Sequence, residues 1–411
     1  MMREDSSVQQ AAPKAFIPLS VPEIEGNEWL YIKECLDTGW VSSVGSYVDR
    51  FEKMIAEICG VAHAVATASG TAALHVALQL AGIAVDDEVL LPTLTFIAPA
   101  NAIRYLGARP VIMDVDRHYW QMDPQKVHDF LTTECVYRDG KLRNKVSGRH
   151  VKAILPVHLL GHPCDMDPLV ELAGRFELKI IEDATESLGS TYRGRPTGGI
   201  GTMGCLSFNG NKIITTGGGG AIITNSEYLA HRARYLTTQA KDDPFEYIHH
   251  EVGYNYRLTN VQAAMGVAQL ERLRSYVAAK RKTTEVYNSH FSHVAGVTLP
   301  QEAEWARSNC WLYAVLISTQ SFGESSRELS RRLKANSIET RPFWRPVHRQ
   351  VPFLDCQSYR IEVADRLYEQ GISLPCSVGL SSEQQDRVIG EILALRGVSI
   401  ANQEGSSPSA A

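Results

Sequence analysis

An aspartate and a lysine stand 29 positions apart in a pattern that suits covalent chemistry. Asp183 follows the strand candidate Lys179–Glu182, and Lys212 ends the segment S-F-N-G-N-K just before a glycine run. Acids at the carboxyl ends of parallel strands point into the crevice where open α/β sheets bind ligands. A lysine there that is partly deprotonated by desolvation can form a Schiff base with an aldehyde. Either residue alone is more often a surface lysine or a helix cap, but the pair in this order predicts a reactive site.

Pyridoxal phosphate is the aldehyde cofactor that these residues suit, because it needs a lysine, a carboxylate for its ring nitrogen and amide donors for its phosphate. Asp183 suits the ring nitrogen. The segment Ala66–Leu74 turns from a strand into a helix, so the amides of Gly70 and Thr71 form an anion site at the positive end of the helix dipole. An ordinary helix cap is the alternative for that segment. Ser207 could add a hydroxyl to the same phosphate.

Two other motifs lack the context that their chemistry needs. The run 199–204 fits G-x-G-x-x-G, but it precedes a strand instead of joining a strand to a helix, so it does not predict dinucleotide binding. His158, His162 and Cys164 are metal-type ligands, but Gly161 and Pro163 break the helix that would align them. We therefore expect no bound metal.

The surrounding elements predict a mostly parallel sheet that is covered on both faces. Helical patterns at 23–37 and 47–59 come first, and short apolar runs then alternate with helical stretches or glycine turns. These strand candidates are Ala64–Ala68, Glu88–Leu91, Pro110–Val115, Val151–Val157, Lys179–Glu182, Leu206–Phe208 and Ala221–Thr224. The segment 136–150 reads as an exposed insertion. A long helix, 260–287, leads into a smaller mixed region, so we predict a large domain at 15–260, a smaller α+β domain at 261–400, and disordered tails at 1–14 and 401–411.

The composition limits the classes of partner that the protein could bind and the cellular compartment in which we expect it. The 411 residues carry a formal net charge of −5 with no block of like charge, which predicts no nucleic-acid or membrane-surface patch. No stretch is apolar enough to span a bilayer, and the N-terminus lacks a signal-peptide pattern. Eight scattered cysteines without C-x-x-C spacing are typical of thiols in a reducing compartment. We expect a cytoplasmic protein.

Six motifs, in this order, resemble the DegT/DnrJ/EryC1/StrS family of sugar aminotransferases. They are S-G-T-A-A-L at 69–74, P-T-L-T-F-I-A at 92–98, V-H-L-L-G-H-P-C-D-M at 157–166, E-D-A-T-E-S-L-G at 182–189, S-F-N-G-N-K at 207–212 and G-Y-N-Y-R-L-T-N at 253–260. The resemblance covers roughly residues 16–395. It implies the fold-type I architecture of aspartate aminotransferase, with a mostly parallel seven-stranded sheet in the large domain.

The resemblance also implies a role for each matching residue. Lys212 would hold the cofactor and move protons, Asp183 would pair with the ring nitrogen, and Phe96 would stack on the ring. Glu186 would lie near the ring hydroxyl. The implied phosphate contacts are Gly70, Thr71, Ser207 and, from the neighbouring subunit of a homodimer, Asn255. Gly218 departs from the family, which commonly has glutamate there, and Lys212 argues against the related dehydratases, which have histidine at its position.

The implied reaction moves the amino group of glutamate to a 4-keto-6-deoxy nucleotide sugar. The stretches 16–29, 37–45, 136–150 and 236–244 look like the branch acting on a UDP-linked N-acetylhexosamine, which feeds bacillosamine- or legionaminic-acid-type surface polysaccharides. W-Q-M-D at 120–123 and H-P-C-D-M at 162–166 are also similar to GDP-perosamine synthases, so a UDP-linked sugar is the first expectation and a GDP-linked 4-keto-6-deoxymannose the alternative. Candidate sugar contacts are Trp40, Arg341, Trp344 and His348. The rival hypotheses are a non-catalytic regulator that binds cofactor or sugar nucleotide, and a nicotinamide-dependent oxidoreductase.

Overall fold

The computed structural model describes residues 14–394. The tail predicted at 401–411 lies outside the described residues, as does the tail predicted at 1–14 apart from Lys14. That lysine pairs with Glu391, whose carboxylate lies 2.6 Å from Nζ. Within 14–394, no helix is both long and apolar enough to cross a membrane.

An eight-stranded sheet forms the centre of the molecule. In spatial order its strands are His63–Thr67, Gly220–Thr224, Met203–Ser207, Lys179–Asp183, Val151–Ile154, Glu88–Pro92, Arg109–Met113 and Ser358–Tyr359. Gly220–Thr224 is antiparallel to both of its neighbours, and the remaining neighbouring pairs are parallel. The predicted α/β fold is thus confirmed. The sequence predicts seven strands because the eighth has only two residues and is contributed from the far end of the chain.

Helices cover both faces of this sheet, which explains why its strands are continuous apolar runs instead of alternating ones. One layer contains Ala73, Ala77 and Leu78 of the helix Gly70–Leu80 together with Ile103. The opposite layer contains Phe51 and Phe208. The α-helices of the described chain are Glu28–Thr38, Ser46–Cys59, Gly70–Leu80, Ala98–Tyr105, Pro124–Asp129, Met166–Arg175, Glu227–Thr237, Asn260–Phe291, Thr319–Phe322, Ser326–Ala335, Ala364–Gln370 and Ser382–Leu393.

The helix Asn260–Phe291 links the sheet's outer helices to a second core. It begins in a capping box, in which Thr259 and Gln262 satisfy each other's backbone amides. Its first half packs against the helices Glu28–Thr38 and Ser46–Cys59. Its last turns bring Tyr287 and Phe291 into the second core.

The chain after residue 260 builds an antiparallel sheet of its own, in the order Val297–Thr298, Tyr313–Ile317, Gly371–Leu374 and Arg341–Pro342. It also returns Ser358–Tyr359 to the large sheet. The division at residue 260 therefore stays a prediction. The segment expected as an insertion forms the hairpin Cys135–Arg138 and Lys141–Asn144. A three-stranded sheet, Ala306–Arg307, Thr191–Tyr192 and Arg195–Pro196, ties the two parts of the chain together.

Candidate active site

A cavity of about 230 Å³ opens where several strands of the large sheet end. It collects residues that are far apart in the sequence, and its lining includes Gly70, Thr71, Phe96, Asp183, Glu186, Ser207, Lys212 and Trp344. The parallel strands all present their carboxyl ends at one edge, which is why the segments following them meet there. The structure therefore brings most of the sequence-predicted site residues into one place.

The start of the helix Gly70–Leu80 forms one wall of the cavity. Ser69 caps this helix by accepting a hydrogen bond of 3.0 Å from the amide of Ala72. The first amides of a helix have no partner within the helix, so those of Gly70 and Thr71 are available to an anion. A Cβ placed on Gly70 would lie 2.8 Å from the Cβ of Ser207, so only glycine lets the helix approach that hydroxyl so closely. These features form a cradle for a phosphate.

Asp183 lies at the end of its strand with 3% of its surface exposed. One carboxylate oxygen accepts a hydrogen bond of 3.1 Å from the amide of Thr185. Burial raises the pKa of Asp183, although hydrogen bonds from the hydroxyl and the amide of Thr185 and the charge of Lys212 oppose the rise. A buried carboxylate with so little neutralisation is suited to a protonated ring nitrogen, which would supply the missing positive charge.

Lys212 extends into the same cavity, and its backbone is fixed by a hydrogen bond of 3.0 Å to the carbonyl of Asn209. Its Nζ lies 3.7 Å from Oε1 of Glu186 and 4.0 Å from the centre of the Trp311 ring. Burial lowers the pKa of the amine, while Glu186 and Asp183 act in the opposite direction. Partial desolvation is the condition under which a lysine becomes a nucleophile.

The donor set fits pyridoxal phosphate. The cavity offers a desolvated amine at Lys212, a buried carboxylate at Asp183, a phosphate cradle at the helix start, and the ring of Phe96, which is 52% exposed. These are the groups that the cofactor requires of a protein.

Trp311 is a site residue that sequence reasoning misses. It is almost fully buried, and its Nε1 donates a hydrogen bond of 2.7 Å to the carbonyl of Asn211, next to Lys212. Its ring also stacks on that of Trp344, with 6.2 Å between centroids and 9° between planes. The run N-C-W-L-Y at 309–313 reads as an ordinary core strand. Only the fold shows that this tryptophan contacts the lysine.

Three of the four candidate sugar contacts lie outside this cavity within one chain. Trp40 is exposed beside another hollow, and its carbonyl accepts a hydrogen bond from Asn260. Arg341 is exposed and pairs with Glu339. His348 is held by Thr93 at 2.7 Å and by Asp365 at 3.2 Å. Their roles in sugar binding stay predictions, and only Trp344 lines the cavity.

Asn255 is exposed and forms a β-bridge with Thr238. Asn255 is not among the residues that line the cavity of its own chain, and the predicted contact is one to the cofactor phosphate of a neighbouring subunit. That contact stays a prediction.

The histidine motif has a structural role in the described chain. His158 is fully buried, with Nε2 3.0 Å from Oε2 of Glu182 and Nδ1 accepting from the amide of Cys164. His162 stacks on Tyr119. Within residues 14–394, no group of three or more histidine, cysteine or acidic side chains is arranged to hold a metal.

The comparison with known proteins identifies the family. The model of the DegT/DnrJ/EryC1/StrS aminotransferase family matches residues 22–393. The chain belongs to this family. Its members are pyridoxal-phosphate-dependent sugar aminotransferases, so this chain is one as well.

Relatives of this aminotransferase resemble it over nearly their whole length. It is 40% identical to a GDP-perosamine synthase of Caulobacter vibrioides, over 92% of this chain and 97% of that protein. It is 39% identical to a GDP-perosamine synthase of Escherichia coli, over 90% and 95%. The crystal structure of DesV from S. venezuelae superimposes with a TM-score of 0.80 at 31% identity, covering 91% of this chain and 95% of that one. The predicted fold, family and cofactor are thus confirmed.

Proposed function

We propose that this aminotransferase transfers the amino group of glutamate to the keto carbon of a 4-keto-6-deoxy nucleotide sugar. The observation that carries the proposal is the buried cluster of Lys212, Asp183 and Glu186 beside the phosphate cradle. A protein that only bound a sugar nucleotide would gain nothing from burying two acids around a desolvated lysine.

A GDP-linked hexose is the favoured substrate. The two relatives at 40% and 39% identity are GDP-perosamine synthases. Perosamine is by its chemical name a 4-amino-4,6-dideoxy hexose, the product that amination of a 4-keto-6-deoxy hexose gives. A UDP-linked N-acetylhexosamine is the second candidate, on the strength of the stretches 16–29, 37–45, 136–150 and 236–244. Either product would feed a surface polysaccharide such as lipopolysaccharide.

Each wall of the cavity has a task in this proposal. The bound cofactor supplies an aldehyde that accepts the donor's amino group and a ring that withdraws electrons. Lys212 would hold the cofactor and, once free, carry a proton from the donor, because burial lowers the pKa of its amine and so favours the neutral form. Asp183 holds the positive charge of the ring. Gly70, Thr71 and Ser207 orient the phosphate.

We also propose that two copies of the chain complete each site. Asn255 is exposed, and its family counterpart reaches the phosphate of the neighbouring subunit. A mixture of K212A and N255A chains tests this, because a hybrid dimer would contain one site with both residues intact. Activity should reappear on mixing. If each mixture stays as inactive as its components while ultracentrifugation shows hybrids, Asn255 acts within its own chain or not at all.

The compartment remains part of the proposal. All eight cysteines are free thiols in the structure, and six of them are buried. Free buried thiols suit a reducing compartment, which supports a cytoplasmic enzyme.

The direct test is to incubate the holoenzyme with ¹⁵N-glutamate and GDP- or UDP-linked 4-keto-6-deoxy sugars and to measure the masses of the products by mass spectrometry. We expect ¹⁵N in the GDP sugar, at a higher kcat/KM than in the UDP sugar. The reverse preference would favour the N-acetylhexosamine branch. Cofactor binding without labelled product from any sugar would instead favour a non-catalytic regulator.

A further inference from the structure

Glu186 is held in an unusual way for a buried acid. Its surface is 3% exposed, and its Oε2 accepts a hydrogen bond of 2.7 Å from the amide of Leu160. Its carbonyl accepts a second hydrogen bond of 3.0 Å from the side chain of Asn309. One hydrogen bond thus fixes the carboxylate and the other fixes the backbone, and together they restrict the direction in which Oε1 points.

The amide that fixes Glu186 comes from a constrained turn. Leu160 has a φ of 58°, a left-handed conformation that costs a non-glycine residue free energy. The turn is stabilised by Gln121, whose side chain accepts from the amide of Leu159 and donates to its carbonyl. A strained turn retained at this position keeps one donor directed at one carboxylate oxygen.

The free oxygen of Glu186 faces Lys212. Oε1 and Nζ are 3.7 Å apart, so a movement of about 0.8 Å would bring them to hydrogen-bond distance. The two charged groups that act on this carboxyl are Lys212 and Asp183, which have opposite effects. Counting all three as ionised, the cluster has two negative charges and one positive charge in a site with little water.

We propose, on the basis of the proposed function, that Glu186 is the proton-exchange partner of Lys212. A proton passes from Nζ to Oε1, so an ammonium and a carboxylate become an amine and a carboxylic acid, and the reverse transfer restores them. One N–H bond breaks and one O–H bond forms, and no other reactant is needed. When Lys212 loses its charge, Glu186 loses the cation beside it, which favours the protonated form of the carboxyl.

The titration of the carboxyl supports this assignment. Burial raises the pKa of Glu186 to about 7, and the charge of Lys212 and the Leu160 hydrogen bond limit the rise, whereas Asp183 adds to it. A group with this pKa holds a proton about half of the time at neutral pH, which is the condition for efficient exchange in both directions.

The test follows the visible absorbance of the holoenzyme from about pH 5.5 to about pH 9. We expect a transition near pH 7 in the wild-type protein that E186Q lacks, because glutamine keeps the hydrogen bond to Leu160 but cannot titrate. E186D should keep a transition with its midpoint shifted by about half a pH unit or more. The matched control is E88Q, which removes a buried acid bonded to Asn144 and Ser147 at the opposite edge of the sheet.

Each outcome decides the proposal. Loss of the transition in E186Q, with E88Q unchanged, supports it. An unchanged midpoint in E186Q or in E186D overturns it, and E186D gives that answer even if E186Q does not fold. The readout needs no sugar, so failure to aminate any sugar would sink the proposed function while leaving this titration intact.

Discussion

Asp114 and Asp183 lie at the carboxyl ends of two strands of the large sheet, and their pKa values are shifted in opposite directions. Asp114 directly follows the strand Arg109–Met113, Asp183 ends the strand Lys179–Asp183, and both are buried. Asp114 accepts hydrogen bonds from three backbone amides, those of Glu362, Val363 and Ala364, and pairs with Lys126 at 2.8 Å. Asp183 accepts one backbone amide, that of Thr185.

The pKa values follow from these surroundings. Burial pushes the pKa of Asp114 up, but Lys126 and the backbone amides outweigh it, and the net shift is downward. Burial dominates at Asp183, and its pKa is raised. Burial alone therefore does not distinguish a structural acid from a reactive one. The number of hydrogen-bond donors around each carboxylate distinguishes the two. Asp183 has fewer donors, so its negative charge is available to a cationic ligand.

The largest effect expected is the loss of turnover in K212A. We predict a fall of more than about 1,000-fold together with loss of the visible absorbance of the lysine-linked cofactor, since the attachment and the proton carrier disappear together. K126A is the matched control at the other aspartate and should keep the absorbance. A K212A protein with substantial turnover would contradict the assignment.

Replacing each of the two aspartates by asparagine should show that Asp183 serves activity and Asp114 serves stability. D183N should lower kcat by about 100-fold or more, because losing roughly two pKa units of ring stabilisation costs about 2.7 kcal/mol. D114N should instead lower the free energy of unfolding by about 3 kcal/mol and leave the folded enzyme active, because it leaves Lys126 without its buried partner. Denaturant titrations and kcat measurements on both variants check this. Equal losses of activity would remove the distinction.

The pH dependence of stability should differ in sign between Asp114 and Glu186. The pKa of Asp114 is lowered by folding, so its contribution is present at neutral pH and is lost as the pH falls below about 4. The pKa of Glu186 is raised to about 7, so the stability that its protonated form contributes is present in acid and is lost as the pH rises through 7. We therefore expect the free energy of unfolding of cofactor-free E186Q, relative to that of the wild type, to rise by up to about 3 kcal/mol between about pH 5 and about pH 8. A constant difference over this range would contradict the raised pKa.

The smallest effect is expected at Trp311. W311F keeps an aromatic face over Lys212 but loses the hydrogen bond to the Asn211 carbonyl, which is worth about 1 kcal/mol. We predict a fall in kcat of about threefold to tenfold and a shifted pH profile of the cofactor absorbance. W344F, which alters only the outer member of the stacked pair, should leave the profile in place. A W311F profile identical to the wild type would mean that Trp311 only fills space.

The sequence predicts the reactive pair because its signal is local. A strand end at Asp183 and a glycine-flanked Lys212 are each recognisable within ten residues, and a parallel sheet gathers strand ends at one edge. Trp311 gave no such signal, since it is 100 positions from Asn211 and lies in a plain apolar run. The strand Ser358–Tyr359 was too short to show any periodicity. The backbone donors to Asp114 come from 248 to 250 positions away, so no local pattern separates it from Asp183.

The prediction to test is that chemistry takes place at Lys212, beside Asp183, and not at Lys126, which pairs with the buried Asp114. Reducing the holoenzyme with borohydride fixes the cofactor to its lysine, and peptide mass mapping then locates the modification. We predict one modified peptide, the one containing Lys212, and an unmodified Lys126. A cofactor fixed at any other lysine, with Lys212 unmodified, would contradict the account.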